Sequence, residues 1–317
     1  MKHDAKNEAV NYFFKLHGKS IDRCHEPTET CHQPAIRAHS IPSSTVLDRL
    51  AENGHVIMPC MTLKFPPPAQ IEFKPVGKNQ ATTFTGLCSR HDNDIFRPID
   101  VAFPNLQKNQ HLFLLAYRAV IREYHVVLQN AIRFQAAYEK RIEVGLSPGN
   151  VPCDSGMFAI SHLCNAFECY EYKRHYDDAF LAADWQALQH HVIVFKNQRP
   201  SIAVSSMFSL DDIDAPETPR VTLSVFPVGA DVAVIFSGTR DDWPFVGVYL
   251  HRLLSSESYF QKYQLSKLVL QSCDNFVIAP QYFDSLSQDA RDALCTFYVD
   301  TIIENAENHE DERLYLF

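Results

Sequence analysis

"TFTGLCSRHDNDIF", residues Thr83–Phe96, sets a thiol, an imidazole and a carboxylate within five positions, Cys88, His91 and Asp92, ahead of the apolar pair Ile95 and Phe96. The C-x2-H spacing of Cys88 and His91 suits a knuckle followed by a helix or turn, which places two soft donors on one side. Zinc takes four N or S donors in a tetrahedron, usually as two short-range pairs that folding brings together. The matching early pair is Cys24 and Cys31 in "CHEPTETC", a looser arrangement whose Pro27 and threonines favour a loop. Around these residues, from Asp22 to Pro98, short apolar runs are broken by "HEPTETCHQP", "SIPSS" and "FPPPAQ", so no regular element of any length is expected. Such a segment has a thin hydrophobic core and needs a staple. The expected staple is a structural Zn2+ held by Cys24, Cys31, Cys88 and His91.

Charge and composition narrow the function classes. Hydrophobic residues make up 46% of the 317-residue chain and charged residues 21%, the balance of an ordinary globular protein. The net charge of −9 is uneven: residues 201–317 carry 7 Lys and Arg against 18 Asp and Glu, while the first 200 carry 22 against 20. An acidic tail repels phosphate, so DNA or RNA, if bound, is expected at the N-terminal two-thirds, and a protein partner at the acidic C-terminal domain. "MKHDAKNEAVNYFF" lacks the apolar run of a signal peptide, and the longest apolar stretch is broken by Pro227, Gly229 and Asp231. The expectation is a cytoplasmic protein without a membrane partner, in which nine cysteines serve as thiols or ligands rather than disulfides. No G-x-G-x-x-G or G-x-S-x-G motif is present, and ten glycines supply few phosphate-cradling turns.

Periodicity organises the rest. Residues 1–20 read as a short helix. Phe113, Tyr117, Val120, Tyr124, Val127, Ala131, Phe134, Tyr138 and Ile142 recur at steps of three and four, which predicts one long helix over 107–144, its stripe serving as core. A second helix is expected from Asp154 to about Ala187, capped by Asp154 or Ser155, with Cys164 and Cys169 as buried thiols. Residues 190–238 alternate as four strands with a hairpin turn at "FPVGADV". A helix at "VGVYLHRLLSS", a short strand at "KLVLQSC" and a last helix over 285–306 complete the chain. His55 reads as a half-buried histidine at a strand start, and the adjacent His190 and His191 as pointing to opposite faces. The fold class is α+β: an N-terminal zinc-stapled, treble-clef-like module (1–106), a central pair of long helices (107–189) and a C-terminal mixed β-sheet with helices (190–317).

The order of residues over about 20–100 resembles a treble-clef zinc module of the HNH endonuclease type. In that family a cysteine pair precedes a hairpin carrying a histidine, and a second pair opens a helix that carries a further metal ligand. "IRAHSIP" (36–42) looks like the hairpin strand, which implies His39 as the general base that activates water. Cys88 matches the first member of the second knuckle, His91 stands where a cysteine is usual, and Asp92 falls where the family binds a catalytic divalent ion, here Mg2+ or Mn2+. The middle Asn of the family corresponds to Asn53 or Asn79. Two features depart from the pattern. Ala38 replaces a common metal ligand, and the 48 residues between His39 and Cys88 exceed the usual hairpin, implying an insertion around "FPPPAQ". The wording of the segment is also similar to bacterial proteins suspected of nuclease or phage-defence roles. The expected function is therefore a metal-dependent nuclease; the alternative is a non-catalytic, zinc-stabilised interaction or scaffold protein.

Overall fold

The computed structural model describes residues 2–62, 70–210, 215, 217–254, 257–302 and 310–317. The expected insertion at "FPPPAQ", the acidic loop "DDIDAPETP" and the end of the last helix lie largely outside these residues. In chain order the elements are α1 (Lys2–His17), β1 (Ala38–His39), a π-turn (Ser43–Leu47) running into α2 (Asp48–Leu50), β2 (His55–Thr62), β3 (Gln70–Gly77), β4 (Thr83–Phe84), α3 (Ser89–Asp100), α4 (Asn109–Glu143) and α5 (Asp154–Leu181). There follow β5 (Leu188–Phe195), β6 (Ile202–Ser209), β7 (Arg220–Val228), β8 (Asp231–Thr239), α6 (Trp243–Leu253), α7 (Ser258–Ser272), β9 (Phe276–Ile278), α8 (Pro280–Ser285) and α9 (Gln288–Ile302).

The α+β class holds, but the sheet is antiparallel throughout rather than mixed. Seven strands run in the order β3-β2-β9-β6-β7-β8-β5, and a second sheet pairs β1 with β4. The β7–β8 hairpin turns at Gly229, whose φ of +63° fills the first loop position where a tight turn needs glycine. On one face of the large sheet, Val204, Leu223, Val234, Phe236 and Phe276 form a core with Val246, Leu268, Leu294 and Phe297 of α6, α7 and α9. Fully burying each such side chain contributes about 1.5–3 kcal/mol.

The segment expected to lack regular structure supplies two eight-residue strands and a twelve-residue helix. Asn53 and Gly54, with φ of 49° and 75°, make the two-residue turn between the bridged Glu52 and His55 that opens β2. Prolines hid the strands that follow. Pro75 sits on the edge strand β3, where a missing amide hydrogen is tolerated, and Pro59 lies opposite Phe73 beyond Ile57↔Ile278, the one pair between β2 and β9 among the described residues. "KLVLQSC" is the end of α7, not a strand. Burial of Leu265, Ser266, Lys267, Leu268, Val269 and Leu270 all round the helix erased its polar face. α5 begins at the cap residue Cys153, which makes no side-chain cap bond; Cys169 is buried, whereas Cys164 and His55 are exposed.

The chain divides into two compact units with interleaved segments. Unit 1 comprises Met1–Ala38, Phe84–Asp92 and Ile121–Ala183; unit 2 comprises His39–Thr83, Asn93–Val120 and Asp184–Phe317. No disulfide forms among the described residues. No helix among them is long and apolar enough to cross a membrane.

Candidate metal centre

All four expected soft donors belong to unit 1, and folding brings them together. Cys24 Sγ lies 3.4 Å from His91 Nδ1, Cys88 Sγ 3.4 Å from the same nitrogen, and Cys31 Sγ 3.9 Å from Cys88 Sγ. The four donor atoms fall within 4.8 Å of one another. Zinc–ligand bonds of about 2.3 Å to sulfur and 2.0–2.1 Å to nitrogen, set tetrahedrally, require S···S near ~3.8 Å and S···N near ~3.5 Å. The three short separations are close to that geometry, and a Cys3His group of this kind could hold a metal ion such as zinc.

Local structure explains how each donor arrives. Cys88 precedes the first turn of α3, where the Asp92 amide donates to the Cys88 carbonyl at 2.9 Å, and this turn carries His91 round beside it. The Cys88 amide donates to Cys24 Sγ at 3.2 Å, so the sulfur already has a donor suited to a thiolate. Burial pushes the Cys24 thiol up to about 12, against the pull of the Cys88 and Glu26 amides. For Cys88 burial also raises the pKa, but the amides of His91 and Arg90 and the thiols of Cys24 and Cys31 outweigh it, and the net shift is downward. Arg90 donates to His91 Nε2 at 2.7 Å. A neutral imidazole that ligates through Nδ1 carries its proton on Nε2, so the exposed Arg90 side chain must turn aside when an ion binds.

The wide spacing of Cys24 and Cys31 is managed by Glu26, a residue that sequence reasoning passed over. Its buried carboxylate accepts from the amides of Thr28 (2.8 Å), Thr30 (2.7 Å) and Cys31 (3.0 Å) and from the Thr28 hydroxyl (2.8 Å), closing the loop so that Cys31 returns to Cys24. Burial opposes ionisation of Glu26, yet these bonds together hold its pKa below the usual carboxylate value. The sequence signal was a carboxylate followed by Thr-x-Thr-Cys, a pattern that wraps amides round an acid.

The residues expected to act on substrate divide between the units: His39 belongs to unit 2 and Asp92 to unit 1. His39 is half-buried, and its Nδ1 donates to the Ala81 carbonyl at 2.9 Å, which leaves Nε2 as the lone-pair nitrogen. Burial lowers its pKa; the Ala81 carbonyl counters this, Arg118 and Lys78 lower it further, and Asp100 raises it. Next to Ala81, Thr82 holds φ of 55°, a costly backbone for a β-branched residue, and its carbonyl accepts from the Ser40 amide (3.0 Å) and hydroxyl (2.8 Å). A strained segment thus anchors the two residues His39 and Ser40. Of the two candidate asparagines, Asn53 forms the turn before β2 and Asn79 is exposed in the turn after β3.

Unit 1 also contains polar groups that the sequence did not single out. His25 and His125 are buried with ring centroids 5.8 Å apart, and Lys173 Nζ pairs with Asp177 at 2.6 Å, side chains 1% and 4% exposed. Burial, aided by the charges of His125, Lys173 and Arg23, takes His25 down to about 3; burial with Arg122 and Arg133 takes His125 down to about 4. Both rings are therefore neutral at neutral pH. No family model, curated protein or solved structure matches the chain.

Proposed function

We propose that the chain is a zinc-stapled, HNH-like nuclease that cleaves nucleic-acid phosphodiesters with a divalent metal ion. The observation that supports this reading most is His39, whose Nδ1 is tied to a backbone carbonyl while its pKa lies below the ordinary histidine value, the state a general base for water requires. The Cys3His quartet at the start of α3 acts as a structural staple and takes no part in the chemistry. A divalent ion, when bound, would offset charge on the phosphoryl oxygens. His39 would take the proton of the attacking water at Nε2 and, with its pKa lowered, keep that capacity into mildly acidic solution. Ala38 favours a second reading, a non-catalytic interaction protein, because a buried methyl group stands where the family commonly supplies a metal ligand.

Plasmid nicking with Mg2+ or Mn2+ separates the two. The nuclease reading expects nicking that His39→Ala abolishes while zinc content stays unchanged, and that Asp92→Asn, at the one acid the resemblance names, also abolishes. Cys88→Ser is expected to lose about one metal per chain by elemental analysis and to open residues 20–62 and 70–100 to protease. A folded, metal-free Cys88→Ser protein would count against the staple, and no nicking with any divalent ion against the enzyme.

A further inference from the structure

Between the loop that carries Cys24 and the helices α4 and α5, unit 1 has a half-open pocket of about 320 Å³. That volume is at the small end of ligand pockets, suited to one ring system rather than a peptide. Its walls include Tyr124 and Tyr170, ring centroids 5.7 Å apart, and at its mouth stands Phe167, 64% exposed. Among these apolar surfaces lies His25, 5% exposed, whose Nε2 is buried without a hydrogen-bond partner among the described residues. Leaving such a nitrogen unsatisfied is unfavourable, so the pocket favours an occupant that brings a hydrogen-bonding edge along with a flat apolar face. The charges nearby balance. Lys173 is paired with Asp177, and Arg23 at the rim is accompanied by Glu29; burial raises the Tyr170 pKa, and the Glu29 carboxylate helps to raise it. A strongly charged head group meets balanced charges there, whereas a neutral heteroaromatic ring meets aromatic walls and, once a small shift of the side chains uncovers it, the unsatisfied Nε2 of His25.

We propose that this cavity is a subsite for one unstacked nucleobase, held by aromatic side chains at its faces and by His25 Nε2 at its edge. It deepens the proposed function and rests on that reading only for the source of the base, which is either a single strand or a free nucleotide. Stacking of one base on an aromatic side chain is worth about tenfold to hundredfold in affinity. Phe167 is exposed and carries no structural load, so Phe167→Ala changes the pocket while sparing the fold.

The test uses the full zinc-loaded chain without Mg2+ or Mn2+, so that binding is read apart from cleavage. Fluorescence anisotropy with labelled single-stranded twelve-nucleotide DNA and RNA, and calorimetry with the four nucleoside monophosphates, form the two arms. Binding in either arm that Phe167→Ala weakens about tenfold or more, at unchanged zinc content, supports the subsite; saturation by monophosphates assigns it to free nucleotides, and by oligonucleotides alone to a strand. His25→Phe is expected to keep stacking but flatten the preference among the four bases. Base binding that persists in His39→Ala while no variant nicks plasmid would leave the subsite standing and remove the nuclease. Absence of binding in both arms at millimolar ligand, or binding indifferent to Phe167→Ala, would overturn the proposal and leave the cavity to water.

Discussion

Glu26 does for its loop what a short Cys-x-x-Cys turn does elsewhere, with one carboxylate standing in for the missing tight turn. Glu26→Gln keeps the shape but replaces an anion with a neutral amide, and Cys31 then loses the firm return of its backbone. Metal affinity should fall about tenfold to hundredfold, read by competition with a chelating dye. The sign of the pH effect follows from the depressed pKa. Its stabilisation is complete above the ordinary carboxylate value and is lost as pH falls through the lower folded value, so the wild-type loop should loosen in acid and the Gln variant should not show that step. The quartet itself was legible because Cys88 and His91 are three apart and a helix start must put them together. Glu26 was passed over, because its role is to accept backbone amides, and the Thr-x-Thr-Cys pattern that follows it is the one trace of that role in the sequence. Nor does sequence report that Thr82 is held in a left-handed backbone to present its carbonyl to Ser40.

At the level of elements, legibility tracked solvent. α4 was visible almost to the residue because, although residues 112–121 are buried all round, the stripe of its remaining turns is separated by polar residues such as Arg122, Gln129, Arg133 and Lys140; β5 to β8 were visible because strand residues of branched shape cluster between turns. α7 failed for the opposite reason: with Leu265 to Leu270 all buried, no polar face marked its period. Of β2 only the start at His55 was read, and β3 was missed, because each contains a proline, at Pro59 and Pro75; β9 was missed because three residues are too few to carry a pattern. The packing of α7 predicts its own weight. Leu268→Ala, at a position 1% exposed in the sheet core, should cost about 2–5 kcal/mol. Urea unfolding followed by tryptophan fluorescence checks this within unit 2, since both tryptophans, Trp185 and Trp243, lie there.

For the whole molecule, histidines held neutral by full or partial burial set the acid limit. His190 donates or accepts at Nδ1 with the Ser237 hydroxyl at 2.8 Å, and burial lowers its pKa to about 4. Unfolding lets it protonate near its ordinary value of 6.5, so stability is intact above that pH and declines as pH falls from 6.5 towards 4. This one residue should remove roughly 2 kcal/mol at pH 5, and His190→Asn should shrink the difference between unfolding midpoints at pH 7 and pH 5. Because His190 lies in unit 2, the effect is separable from acid release of a metal in unit 1.

The pairing of β2 with β9 joins residues made far apart in time. A ribosome adding about 5–20 residues per second leaves the β2–β3 hairpin waiting on the order of ten to forty seconds for Phe276–Ile278 to emerge. Throughout that delay its bare flank could recruit neighbouring nascent chains into aggregates. Pro59 and Pro75, which look like interruptions, withhold amide hydrogens from such strangers and so guard the hairpin until its late partner is synthesised.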